Sequence, residues 1–114
     1  MGRRDLLVSD LSITEIVSSL SRRRREGALE AAKVARLHRA LLAHVEAGIY
    51  GRVELLSATH REAERLLLSV EGVALRAADA LHLALAISGH AASILTYDRR
   101  LAGAASAIGL NVFP

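Results

Sequence analysis

The chain contains no cysteine, a single proline and three aromatic residues. Without cysteine there are no disulfides and no thiolate zinc sites, which fits a reducing cytoplasm. With only Tyr50, Tyr97 and Phe113 as aromatics, a single-strand binder that stacks bases on aromatic platforms has little to work with. Any contact with RNA should therefore be mainly to phosphates and by metal, with few stacked bases. Asp79, His82 and His90 interrupt the most apolar region, so no run reaches the length of a membrane span. Met1-Gly2-Arg3-Arg4-Asp5 turns acidic too soon to start a secretion signal. Glycine-rich phosphate loops, nucleophile elbows and dinucleotide fingerprints are also missing. The expected compartment is cytoplasmic.

What is present describes a folded chain. Its 114 residues suit one domain with a real core, and 52% of them are hydrophobic. A formal charge of +3 with a pI near 10.2 permits an anionic partner without demanding one. Leu6 to Ser9 reads as a buried strand, and Ser12 then opens a helix carrying Ile13, Ile16, Val17 and Leu20 on one face. A second helix, about Leu29 to Ala47, sets Val34, Leu37, Leu41, Leu42 and Val45 at helical spacing and stops at Gly48. Val53 to Leu56 reads as a strand, and Thr59 with Glu62 has capping-box spacing at the start of a third helix. A fourth helix runs from about Ala77 to Gly89 and is apolar almost all round. Ser93 to Thr96 is a strand, Asp98 opens a short helix, and Asn111 to Phe113 is a terminal strand. Strands alternating with helices imply an α/β fold with a parallel sheet flanked by helices.

Three acids stand where a strand or loop hands over to a helix: Glu15, Asp79 and Asp98. In a parallel α/β fold such positions face one edge of the sheet. Each has a plain structural explanation as well. Glu15 is spaced with Ser12 as a capping box, Asp79 falls in a first turn where a carboxylate suits the helix dipole, and Asp98 suits an N-cap. Taken together the three read as a site for a hard divalent cation, Mg²⁺ or Mn²⁺, because converging carboxylates repel one another until a cation neutralises them. Arg22 to Arg25 are basic residues at a helix end, where the helix dipole favours them; the solvated reading outweighs phosphate binding there.

Leu75-Arg76-Ala77-Ala78-Asp79-Ala80-Leu81-His82-Leu83-Ala84, followed closely by Ile94-Leu95-Thr96-Tyr97-Asp98-Arg99-Arg100-Leu101, resembles the C-terminal half of PIN-domain proteins, in particular the VapC-type toxins of toxin–antitoxin pairs. Upstream, Val8-Ser9-Asp10-Leu11-Ser12-Ile13-Thr14-Glu15-Ile16 resembles the family's second acidic motif. The resemblance covers nearly the whole chain. It implies a single PIN-like three-layer domain over residues 1–114 and a Mg²⁺-dependent endoribonuclease with Glu15, Asp79 and Asp98 as catalytic and metal-binding acids. It further implies Thr96, Arg99 and Arg100 as substrate-side residues, the two arginines being open to the other reading as helix-surface charges, with RNA, an antitoxin protein and a second toxin copy as partners.

One departure accompanies the resemblance. The family opens with a central strand ending in its first acid, and here only Met1 to Asp5 precede the second motif. The expectation is an N-terminally truncated domain whose first central strand and first acid are missing, with activity reduced or lost. A truncated gene, a replacement strand from another chain and rearranged pairing are all open. The rival function is a non-catalytic module that binds an antitoxin or another toxin copy through its apolar helices.

Overall fold

The computed structural model describes residues 6–96 and 98–114; Met1 to Asp5 and Tyr97, including the start of the chain on which the missing-strand expectation turns, lie outside the described residues. The described residues are mixed α/β, with helices alternating with short parallel strands. Two compact units divide the chain, one ending at Val53 and one beginning at Glu54.

The first unit starts with β1 (Leu7–Ser9), which runs straight into α1 (Asp10–Arg25). Ser9 ends the strand in an extended conformation, and its Oγ accepts the Ser12 N–H at 3.0 Å. The helix therefore begins two residues before the expected Ser12. The Ser12–Glu15 capping box does not form its cap, because Ser9 with Ser12 offers the same chemistry one turn earlier. After α2 (Ala31–Glu46) the chain reverses at Gly48, whose φ of 73° is the left-handed conformation that glycine adopts without a Cβ penalty. Gly48 N–H and Ile49 N–H then reach back to the Val45 and His44 carbonyls, closing the helix end. β2 (Gly51–Val53) pairs in parallel with β1, Val8 facing Arg52. The expected strand from Val53 to Leu56 is thus displaced toward the N-terminus, because pairing with Leu7 to Ser9 fixes the register. Arg52 grips Asp10 with Nε at 2.8 Å and a second nitrogen at 3.1 Å, tying β2 to the start of α1.

The second unit holds α3 (Ser57–Ser69), α4 (Ala77–Ser88), β3 (Ser93–Leu95), α5 (Arg99–Ala107) and β4 (Asn111–Phe113). Thr59 is the third residue of α3, not its cap: its Oγ1 accepts the Leu56 N–H at 3.1 Å from a buried position. β3 and β4 pair in parallel, Ile94 facing Val112. Ile94 and Val112 lean on a core formed by Ala63 and Leu66 of α3, Ala80, Leu83 and Ala84 of α4, and Leu101, Ala104 and Ala105 of α5. Small alanines on α4 and α5 let the two helices approach closely, and Leu83, fully buried, fills the centre. No described helix is long and apolar enough to cross a membrane.

Candidate metal and phosphate site

The N-terminal ends of α4 and α5 carry two of the three acids. Ala80, next to Asp79, and Leu101, three residues past Asp98, share one buried cluster, so both helix starts are anchored in the same core. Asp79 is the third residue of α4 and only 7% exposed. Its Oδ2 accepts the Arg76 N–H at 3.1 Å, which satisfies one of the donors a helix start leaves over. Asp98 is the N-cap of α5: its Oδ1 accepts the Arg100 N–H at 2.8 Å and the Leu101 N–H at 3.1 Å. The Leu101 N–H bond above all holds the Asp98 carboxyl below its ordinary value; burial opposes it, and the Arg100 N–H bond and the charges of Arg100 and Arg76 add to the lowering. Thr96 Oγ1 accepts the Asp98 N–H at 3.0 Å, fixing the backbone from which the carboxylate projects.

Both carboxylates use one oxygen on the backbone, Oδ2 of Asp79 and Oδ1 of Asp98. The structural and the functional reading are therefore compatible. One oxygen of each caps a helix, and among the described residues no hydrogen bond engages the other. Mg²⁺ needs one or two protein carboxylates, completing its octahedron with water and substrate phosphate oxygens. The donor chemistry of this pair fits such an ion. No group of three or more His, Asp or Glu side chains capable of holding a metal is gathered among the described residues.

Glu15 lies in the first unit, on an exposed turn of α1. Arg99 and Arg100 occupy the first turn of α5 with exposed side chains. Arg76 went unassigned in the sequence reading, although it stands three residues before Asp79. That is the N-cap-to-N3 spacing, and it is the signal that would have found it. His82 is half-buried on α4.

The acids do not line the one groove described in the second unit. That groove, about 640 Å³, lies among Arg65, Ser69, Ile87, Ala91 and Leu110 at the opposite ends of α3, α4 and α5. From Asp79 to Ile87 the α4 axis rises about 12 Å.

A model of the PIN domain family matches residues 1–106, a span that contains Glu15, Asp79 and Asp98. A search of curated proteins finds no match.

Proposed function

The chain belongs to the PIN domain family, whose members are generally nucleases, and from that premise we propose that it descends from a metal-dependent endoribonuclease of the VapC toxin type. The observation that carries the reading is the pair Asp79 and Asp98. Each engages one oxygen on a helix start, and the other would take the ligand. Asp79 and Asp98 would hold Mg²⁺ or Mn²⁺, with Glu15 as the third acid. When bound, the ion supplies Lewis-acid polarisation of a phosphate and a lowered pKa for a coordinated water. Thr96 acts by holding the Asp98 backbone, while Arg99 and Arg100 offer exposed cations to RNA. The family match runs through both compact units, which supports reading residues 1–114 as one PIN-like domain. A cytoplasmic setting accords with the absence of cysteine.

Glu15, Asp79 and Asp98 correspond to acids of the family's site, and RNA cleavage by this chain should depend on them. Calorimetric titration with Mn²⁺ tests the site directly. Asp79→Asn should weaken binding about tenfold or more, and unchanged affinity would place the metal elsewhere. Asp98→Asn is the matching variant for an RNA cleavage assay, because asparagine also caps a helix and leaves α5 intact.

A second reading, a binding module for an antitoxin or for another copy of the chain, is favoured by α1 and α2. Neither helix has a buried residue, and Ile16, Leu37 and Leu42 are exposed. In β1–β2 and β3–β4 each described strand has a single partner, which leaves edges that favour a homodimer. Size-exclusion chromatography of the chain with and without a candidate antitoxin separates the two readings. A module forms a complex and does not cleave RNA.

A further inference from the structure

Arginines of the second unit fall into two groups. Arg61 pairs with Glu64 at 2.7 Å, and Arg65 forks onto both oxygens of Glu62. Arg76 has acids for neighbours as well. Its backbone N–H is bonded to Asp79, and its charge reaches Asp98. Yet among the described residues no hydrogen bond or ion pair engages its guanidinium. Its backbone is fixed, extended at φ −102° and ψ 167° and tethered by the Asp79 carboxylate, so the exposed side chain springs from a defined point beside Asp79.

A cation in that place does not help the two acids to hold a divalent ion, because like charges repel. Toward an anion it is favourable: the Asp98 carboxylate already feels that charge, and a substrate phosphate beside the acids would feel it too, with or without a metal. A guanidinium presents a planar fork that matches two phosphate oxygens. The chain also has too few aromatics to hold RNA by stacking, so its grip must fall on the backbone. We propose that Arg76 is a substrate-binding residue that clamps an RNA phosphate beside Asp79 and Asp98, independently of the metal. The assignment rests on the ribonuclease reading and deepens it. It makes the first grip on RNA electrostatic and indifferent to base sequence.

The test is fluorescence anisotropy of a labelled single-stranded RNA with the full chain, in EDTA, across a series of salt concentrations. Arg76→Ala should weaken binding about tenfold and reduce the slope of log affinity against log salt by about 0.7, the signature of one lost phosphate contact on a single strand. Arg76→Lys should keep the slope, since the charge stays, and lose part of the affinity with the fork. In parallel calorimetry Arg76→Ala should bind Mn²⁺ as tightly as the parent chain or more tightly, because its backbone bond to Asp79 survives the substitution. An unchanged salt slope in Arg76→Ala overturns the proposal. So does a joint loss of Mn²⁺ and RNA binding, which would give Arg76 a merely structural role. Failure of the parent chain to bind RNA overturns this inference and the ribonuclease reading together. A reduced slope alongside Mn²⁺ binding that ignores Asp79→Asn upholds Arg76 and sinks the metal assignment alone.

Discussion

α2 and α4 are both leucine- and alanine-rich, but they end in different environments. α2 places Val34, His38, Leu41 and Val45 on a half-buried stripe, leaves Leu37 and Leu42 exposed at its flanks, and buries nothing. α4 buries Ala80, Leu83, Ala84 and Leu85, along with the carboxylate of Asp79. The difference lies in the neighbours. α4 packs between α3 and α5, whereas α2 packs against α1, whose last turn is four consecutive arginines. An apolar stripe gives a helix the capacity to be buried, and the elements packed on it decide whether that happens.

The largest test of this comparison is a pair of truncations. Leu83→Ala opens a cavity in the centre of the second unit and should cost about 3 kcal/mol in urea unfolding followed by circular dichroism. Leu37→Ala, at a side chain 40% exposed, should cost less than about 1 kcal/mol. Equal costs would mean that α2 is as firmly packed as α4, and the contrast between the two units would fail.

The same contrast explains what the sequence made legible. Alternation of strands and helices, the parallel pairing, the turn at Gly48 and the cap at Asp98 all follow from local chemistry, and the structure has them. The misplaced features depend on partners distant in sequence or on competition between equivalent groups. β2 lies at Gly51 to Val53 because Leu7 to Ser9 set its register. Ser12 lost the cap of α1 to Ser9, an identical side chain three residues earlier. Thr59 has the side chain of a cap, but Leu56 occupies that position and the threonine bonds back to it. At the site, the acids were readable as helix-start residues. That Asp79 is buried while Asp98 is exposed was not, because it depends on how α4 and α5 pack. Arg76 was passed over for a related reason. Its meaning comes from carboxylates three and twenty-two positions away.

A second test asks whether the acids act as caps as well as ligands. The folded-state pKa of Asp98 is depressed, chiefly by the Leu101 N–H bond. Its contribution to stability is therefore complete above the unfolded carboxylate value, about 4. It disappears as the pH falls through the lower folded value. Asp98→Ala should speed amide exchange at Arg100 and Leu101 and abolish this part of the acid dependence. Asp98→Asn should restore the slow exchange without restoring Mn²⁺ binding. If alanine and asparagine gave the same exchange rates, the cap would be unimportant and Asp98 would matter only as a ligand.

The smallest expected effect is at the other end of α4. That helix stops at Gly89, yet the left-handed residue is the next one, His90, at φ 55°. Its N–H bonds the Ile87 carbonyl at 3.0 Å, and Ala91 N–H bonds that of Ala86 at 2.9 Å, the same closure that Gly109 provides after α5. A side chain in this conformation brings its Cβ against the carbonyl, a strain that glycine lacks. The exposed imidazole has no described partner to offset it. His90→Gly removes the strain and adds entropy to the unfolded chain, two opposed effects. The strain relief is the larger, so the variant should gain about 0.5 kcal/mol and a small rise in Tm. If the variant instead lost stability, His90 would have to be making a contact that outweighs its backbone, and the C-terminal end of α4 would be a more constrained region than its hydrogen bonds indicate.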